Sequence, residues 1–177
     1  MQFNIFQSFV QQSVQAGDTI SNVSGAPSYF ATKYTITANT LVEGRIFQVS
    51  SGGTYGVAAA PTSTKLDLFL GIDRANINTG SRTPTSISAV AATWTCSYEC
   101  IVQSIGVGTG SMVIHGFWAL NNSDGDPLRD DLWVSTVDLL VGLDTTIDIP
   151  LELGVMYTAS SVNNKITMDS LIVISGL

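Results

Sequence analysis

Charge is what this sequence has least of. Asp, Glu, Lys and Arg make up 12% of its 177 residues, about half the share of an ordinary soluble domain. Lys and Arg together number only seven, they are scattered, and the net charge is −7. That balance excludes an electrostatic hold on nucleic acid or on an anionic membrane. Hydrophobic residues reach 45%, enough for one full core. A Thr/Ser/Asn-rich surface on a compact domain and a surface covered by partners both fit such a composition. The positive mean hydropathy of +0.30 favours the covered surface.

Cysteine and histidine are nearly absent. Cys96 and Cys100 are four residues apart on one candidate strand, which puts their Cα atoms roughly 13 Å apart. A disulfide needs about 7 Å or less. Two free, buried thiols are therefore expected, in a chain made in a reducing compartment. With only two Cys and one His, a zinc site is not expected. No apolar run approaches the roughly 18 residues of a membrane span. The N-terminal MQFNIFQSFVQQSVQ has no basic flank or long apolar core, so a secretory leader is not expected.

What is present is alternation. Thr35–Tyr55 reads as a strand end, a turn at Thr37–Asn39, a second strand over Leu41–Ser50, and a Ser-Gly-Gly turn. Gly44 interrupts that second strand and marks a bulge or a close backbone approach. Tyr29–Thr37, Lys65–Ile72, Val90–Ser104, Ser111–Leu120, Thr145–Tyr157 and Lys165–Ser175 are further strands. In Val90–Ser104 one face carries Trp94, Cys96, Tyr98, Cys100 and Val102, a period of two. Across the Gly-rich turn 106–110 it makes a hairpin with Ser111–Leu120. Pro150 suggests an edge or a bulge, and Leu132–Val141 suits a strand or one helical turn. Loops are expected at 51–63, 73–88 and 121–131. About eight strands, separated by Gly, Pro and Asn, imply an all-β fold of two packed antiparallel sheets: a β-sandwich.

Residues 1–28 differ. Phe3, Ile5, Phe6, Phe9 and Val10 stand among Gln, Ser and Asn, and breakers follow at Gly17-Asp18 and Ser24-Gly25-Ala26-Pro27. The stretch reads as an N-terminal arm, with a first strand on the same core as the alternative. Either way its apolar side chains must pack on this domain or on a neighbour. The expected organisation is an arm over 1–28 and a sandwich domain over 29–177.

Chemistry is sparse. His115 lies mid-strand, with no G-x-S-x-G elbow anywhere, so a structural role is expected. Asp124, Asp126, Asp130 and Asp131 sit in a polar loop, not on strands facing a groove as paired glycosidase acids would. Asn122, Asp124 and Asp126 alternate like oxygen ligands for calcium. Gly125 is misplaced for an EF-hand loop, and no closing Glu follows. That loop and Trp133 form a candidate ligand-facing segment, while Trp94 and Trp118 read as core. The sequons at Asn22 and Asn121 read as chance matches. No catalytic residues, metal site or cofactor are expected.

The run TITANTLVEGRIFQVSSGGTYG, then KLDLFLGI, the Trp-bearing ATWTCSYECIVQS, the turn GVGTGS and the closing TASSVNNKITMDSLIVIS resemble small jelly-roll virion proteins of tailed bacteriophages. These are head decoration (cement) proteins, head fibres and related tail-fibre tips. The resemblance spans residues 29–177 and rests on strand and turn types, not on an active-site motif. It implies a jelly-roll-like homotrimer, made in the bacterial cytoplasm, that binds the major capsid protein at three-fold positions on the virion surface. Phe3, Ile5, Phe6, Phe9 and Val10 would then be an arm gripping capsid or neighbour. The alternative it implies is a fibre tip that recognises host glycan through Trp133 and the loops 73–88 and 121–131. Neither reading is enzymatic, and neither involves nucleic acid or a membrane.

Overall fold

The alternating segments are strands. The computed structural model describes the backbone of residues 8–21, 26–56, 66–72, 75–82, 93–121, 134–157 and 164–176. It describes the side chains of residues 18–21, 26–56, 72, 93–120, 139–157 and 164–176. The strands are β1 (Ser8–Ser21), β2 (Ser28–Ile36), β3 (Ile46–Gly56), β4 (Leu66–Ile72) and β5 (Ala75–Arg82). They continue with β6 (Thr93–Ser104), β7 (Gly110–Asn121), β8 (Val134–Leu143), β9 (Ile149–Tyr157) and β10 (Lys165–Gly176). A six-stranded sheet runs β1-β10-β3-β6-β7-β8 and a four-stranded sheet runs β2-β9-β4-β5. Every described pairing is antiparallel. The molecule is an all-β, jelly-roll-like antiparallel sandwich.

The core lies between the sheets, where the period-two faces meet. β6 contributes Trp94, Cys96, Tyr98, Cys100 and Val102, all buried. From β9 come Ile149, Leu151, Leu153, Val155 and Tyr157. Phe30 of β2 stacks on Trp94 of β6 across the sandwich, with ring centroids 6.1 Å apart. The Trp94 indole N–H donates to the Thr167 carbonyl at 2.9 Å, so this large ring is buried without an orphaned donor. Trp118 is buried too, but its N–H meets no acceptor.

Residues 8–21 take the alternative to an arm. They are a strand, β1, whose residues 8–13 pair with 170–175 and whose residues 18–21 pair with 165–168. The physical reason is the edge of β10, whose backbone donors and acceptors β1 satisfies. Phe9 lies opposite Ile174 and Val10 opposite Val173 in this ladder. Asp18 then ties the two sheets together at this side. Its carboxylate accepts the backbone N–H of Ala31 at 3.2 Å and of Thr32 at 2.7 Å. Those donors lie where the β2 ladder slips, between Tyr29 and Lys33, and β9 does not use them. Phe3, Ile5 and Phe6 lie outside the described residues.

Other boundaries shift for identifiable reasons. Leu41–Arg45 precedes the strand and carries a bulge, not a straight run. The Gly44 N–H donates to the Val102 carbonyl at 2.8 Å, and the Val102 N–H donates to the Arg45 carbonyl at 2.9 Å. Two residues thus face one, and Gly44 has φ +80°, the signature of a bulge whose first residue must be glycine. The Ser-Gly-Gly turn is not a turn at all, since Ser51, Gly52 and Gly53 continue β3. A Cβ on Gly53 would collide with the Thr167 carbonyl oxygen, so glycine there admits a close backbone approach. Part of the expected 73–88 loop is β5, an edge strand of polar sequence. Pro150 is not on an edge: β9 lies between β2 and β4, but the β4 ladder ends at Leu151, so Pro150 lies beyond it.

Candidate functional site

The direction of each strand sorts the connections into two ends. Those after β1, β3, β5, β7 and β9 leave from one end; Ser21, Gly56, Thr93, Asn121 and Lys165 are linked there by ladder pairs. Those after β2, β4, β6 and β8 leave from the other. The first is called the loop end and the second the turn end. Asn122, Asp124, Asp126 and Trp133 belong to the β7–β8 connection, which leaves from the loop end, and they lie outside the described residues. So do Asp130 and Asp131.

The turn end is built from short segments locked to one another. Thr145 is the hub and is buried. Its Oγ1 accepts the Gly106 N–H at 2.9 Å, its own N–H donates to the Gly106 carbonyl at 3.1 Å, and its carbonyl accepts the Asn39 N–H at 3.0 Å. Asp148 accepts the Ala38 N–H at 2.8 Å, and the Asn39 side-chain amide donates to the Thr146 carbonyl. Asn39 has φ +60°, which Asn tolerates better than most residues. Asp144 accepts the N–H and hydroxyl of Thr146, which hold its carboxyl below the ordinary carboxylate range. Segments 37–45, 105–109 and 144–148 therefore form one cross-linked surface.

That surface carries the apolar side chains left outside the core. Val42, Ile105, Val107 and Ile147 are exposed on these segments, and Leu139 and Val141 are exposed on β8 beside them. Val107 is 70% exposed and Val141 65%. No other large hydrophobic among the described residues is exposed to this degree. A row of ladder neighbours extends the surface onto the outer face of the six-stranded sheet. Ile46 opposes Ile101, Ile101 opposes Val113, and Val113 opposes Leu139. Ile46, Ile101 and Val113 are half-buried.

The remaining chemistry does not converge. His115 is exposed on the outer face of β7, opposite Glu99 of β6. Cys96 and Cys100 are free and lie on the inner face, so histidine and thiols occupy opposite sides of the sheet. Burial pushes the Cys100 thiol up to about 12, with the Glu99 charge adding to it, and burial pushes Cys96 higher still. Such thiols are inert as nucleophiles. Among the described residues no three His, Cys, Asp or Glu side chains are grouped to hold a metal. No helix among them is long and apolar enough to cross a membrane. Sequence reasoning missed the apolar turn end, because its residues are dispersed along the chain in four segments.

An antiparallel β-sandwich with one hydrogen-bond-locked apolar end is the class of molecule that results. No protein-family model matches the chain, and no curated protein matches it. Among solved structures it is similar to peanut lectin in complex with a nine-residue peptide, at 11% identity and a TM-score of 0.38. The alignment covers 99% of this chain and 93% of that one. At that level the likeness carries no functional argument.

Proposed function

We propose that this chain is a structural virion protein of a tailed bacteriophage: a decoration (cement) protein that binds the head surface as a trimer and stabilises it. The observation that carries the reading is the gathering of exposed large apolar side chains at the turn end. Apolar side chains gathered on one side of a molecule are the kind of surface that a partner covers. Low overall charge and the resemblance over residues 29–177 support the same reading. Its partners are the major capsid protein and two further copies of itself, and its place is the virion surface after synthesis in the host cytoplasm.

The test is co-sedimentation of the purified chain with heads of its own phage that lack it, followed by thermal disruption of the heads. Saturable binding with a raised disruption temperature is expected. Absence of binding contradicts the reading, and binding to host glycan instead makes the chain a fibre tip. The arm is tested by removing residues 2–7, which spares β1. A deletion through residue 14 also strips part of β1 and bares the edge of β10, which confounds binding with folding.

A further inference from the structure

The charges at the turn end say what kind of surface fits it. Segments 37–45, 105–109 and 144–148 carry Glu43, Asp144 and Asp148 against a single cation, Arg45. The Arg45 Nη1 donates to the carbonyl of exposed Thr40 at 2.8 Å within the same segment, and its Nε is buried. The carboxylates of Asp144 and Asp148 are fixed by their hydrogen bonds to Thr146 and Ala38. An apolar centre is thus flanked by anchored negative charge. Two such ends facing one another would set acids against acids, which disfavours an end-to-end contact between copies. The same charges disfavour an anionic lipid surface.

We propose that the turn end docks onto a partner protein whose surface has an apolar centre ringed by Lys and Arg, with the loop end directed outward. This rests on the capsid reading and names the chemistry of the capsid site. Val107, Ile105, Val42, Ile147, Leu139 and Val141 enter the apolar centre, and Glu43, Asp144 and Asp148 meet the basic rim. The cross-linked segments need little ordering on binding, so less of the contact energy is lost to entropy.

The experiment measures binding of three variants to heads lacking the chain, each first shown to melt like the unmodified protein. Ile105→Ser/Val107→Ser removes apolar contact and is expected to weaken binding about tenfold or more. Glu43→Lys is expected to weaken it and to reduce its salt dependence. A short flexible insertion after Ala59 enters the β3–β4 connection at the opposite end and is expected to bind as the unmodified chain does. If the unmodified chain binds and the two turn-end variants bind equally well, the docking face is overturned while the capsid reading stands. If the unmodified chain does not bind heads, both fall. If Ile105→Ser/Val107→Ser abolishes only self-association in sedimentation, a second copy occupies the face and the basic-rimmed partner is refuted.

Discussion

Cys96 and Cys100 show how far burial alone can change a residue's chemistry. An unperturbed thiol here has a reference value of 9.0, whereas folded Cys100 is pushed up to about 12. Below pH 9 both the folded and unfolded chains keep the proton, and the stability tied to it is complete. As pH rises toward 12 only the unfolded chain releases it, so stability falls by roughly 1 kcal/mol per pH unit for each thiol. Urea melts from pH 8 to 11 check this, and Cys100→Ala is expected to flatten the decline. Thiol reagents at pH 8 are expected to label neither cysteine until denaturant is added. Gly53 is sensitive for a different reason. Its missing Cβ admits the Thr167 carbonyl, so Gly53→Ala is expected to cost about 1–3 kcal/mol or more, as overpacking does. A melt unchanged from the unmodified chain contradicts that account.

Elements explain what the sequence could and could not disclose. β6 and β9 were legible because a strict period of two places one apolar face on the core. In β10 the apolar pattern steps from Met168 to Leu171, and that break is real. Asp169 is bulged between the ladder pairs Met168–Gly53 and Ser170–Gly52. Gly44 was legible as a bulge for the same local reason, its left-handed backbone. The glycines at 52 and 53 misled, because glycine serves turns and close approaches alike. β5 was hidden because Ala75–Arg82 has little apolar signal and pairs on one flank only. The Thr145 hub was invisible, since it joins segments more than thirty residues apart. Thr145→Val keeps the shape but removes the acceptor for the Gly106 N–H. It is expected to cost about 1–3 kcal/mol and to speed amide exchange at Gly106 and Asn39 while leaving β6 and β9 protected. Uniform loss of protection would show instead that the turn end has no local integrity.

At the scale of the molecule, the strict antiparallel order gives the sandwich two unlike ends. The described segments of the turn end are cross-linked and carry exposed apolar and acidic side chains. The loop end is where the connections after β1, β3, β5, β7 and β9 leave the sheets. That division suits an adhesive protein with one face toward a shell and one toward solvent. Nothing in the sequence pattern could reveal it, because it depends on strand order, and periodicity fixes faces but not neighbours. The most direct test is a cryo-electron microscopy map of heads saturated with the chain. Val107 and Glu43 are predicted to lie at the shell, against a basic-rimmed apolar patch, with the β7–β8 connection pointing outward. A map with the loop end on the shell, or with no ordered density on the head, would contradict the account.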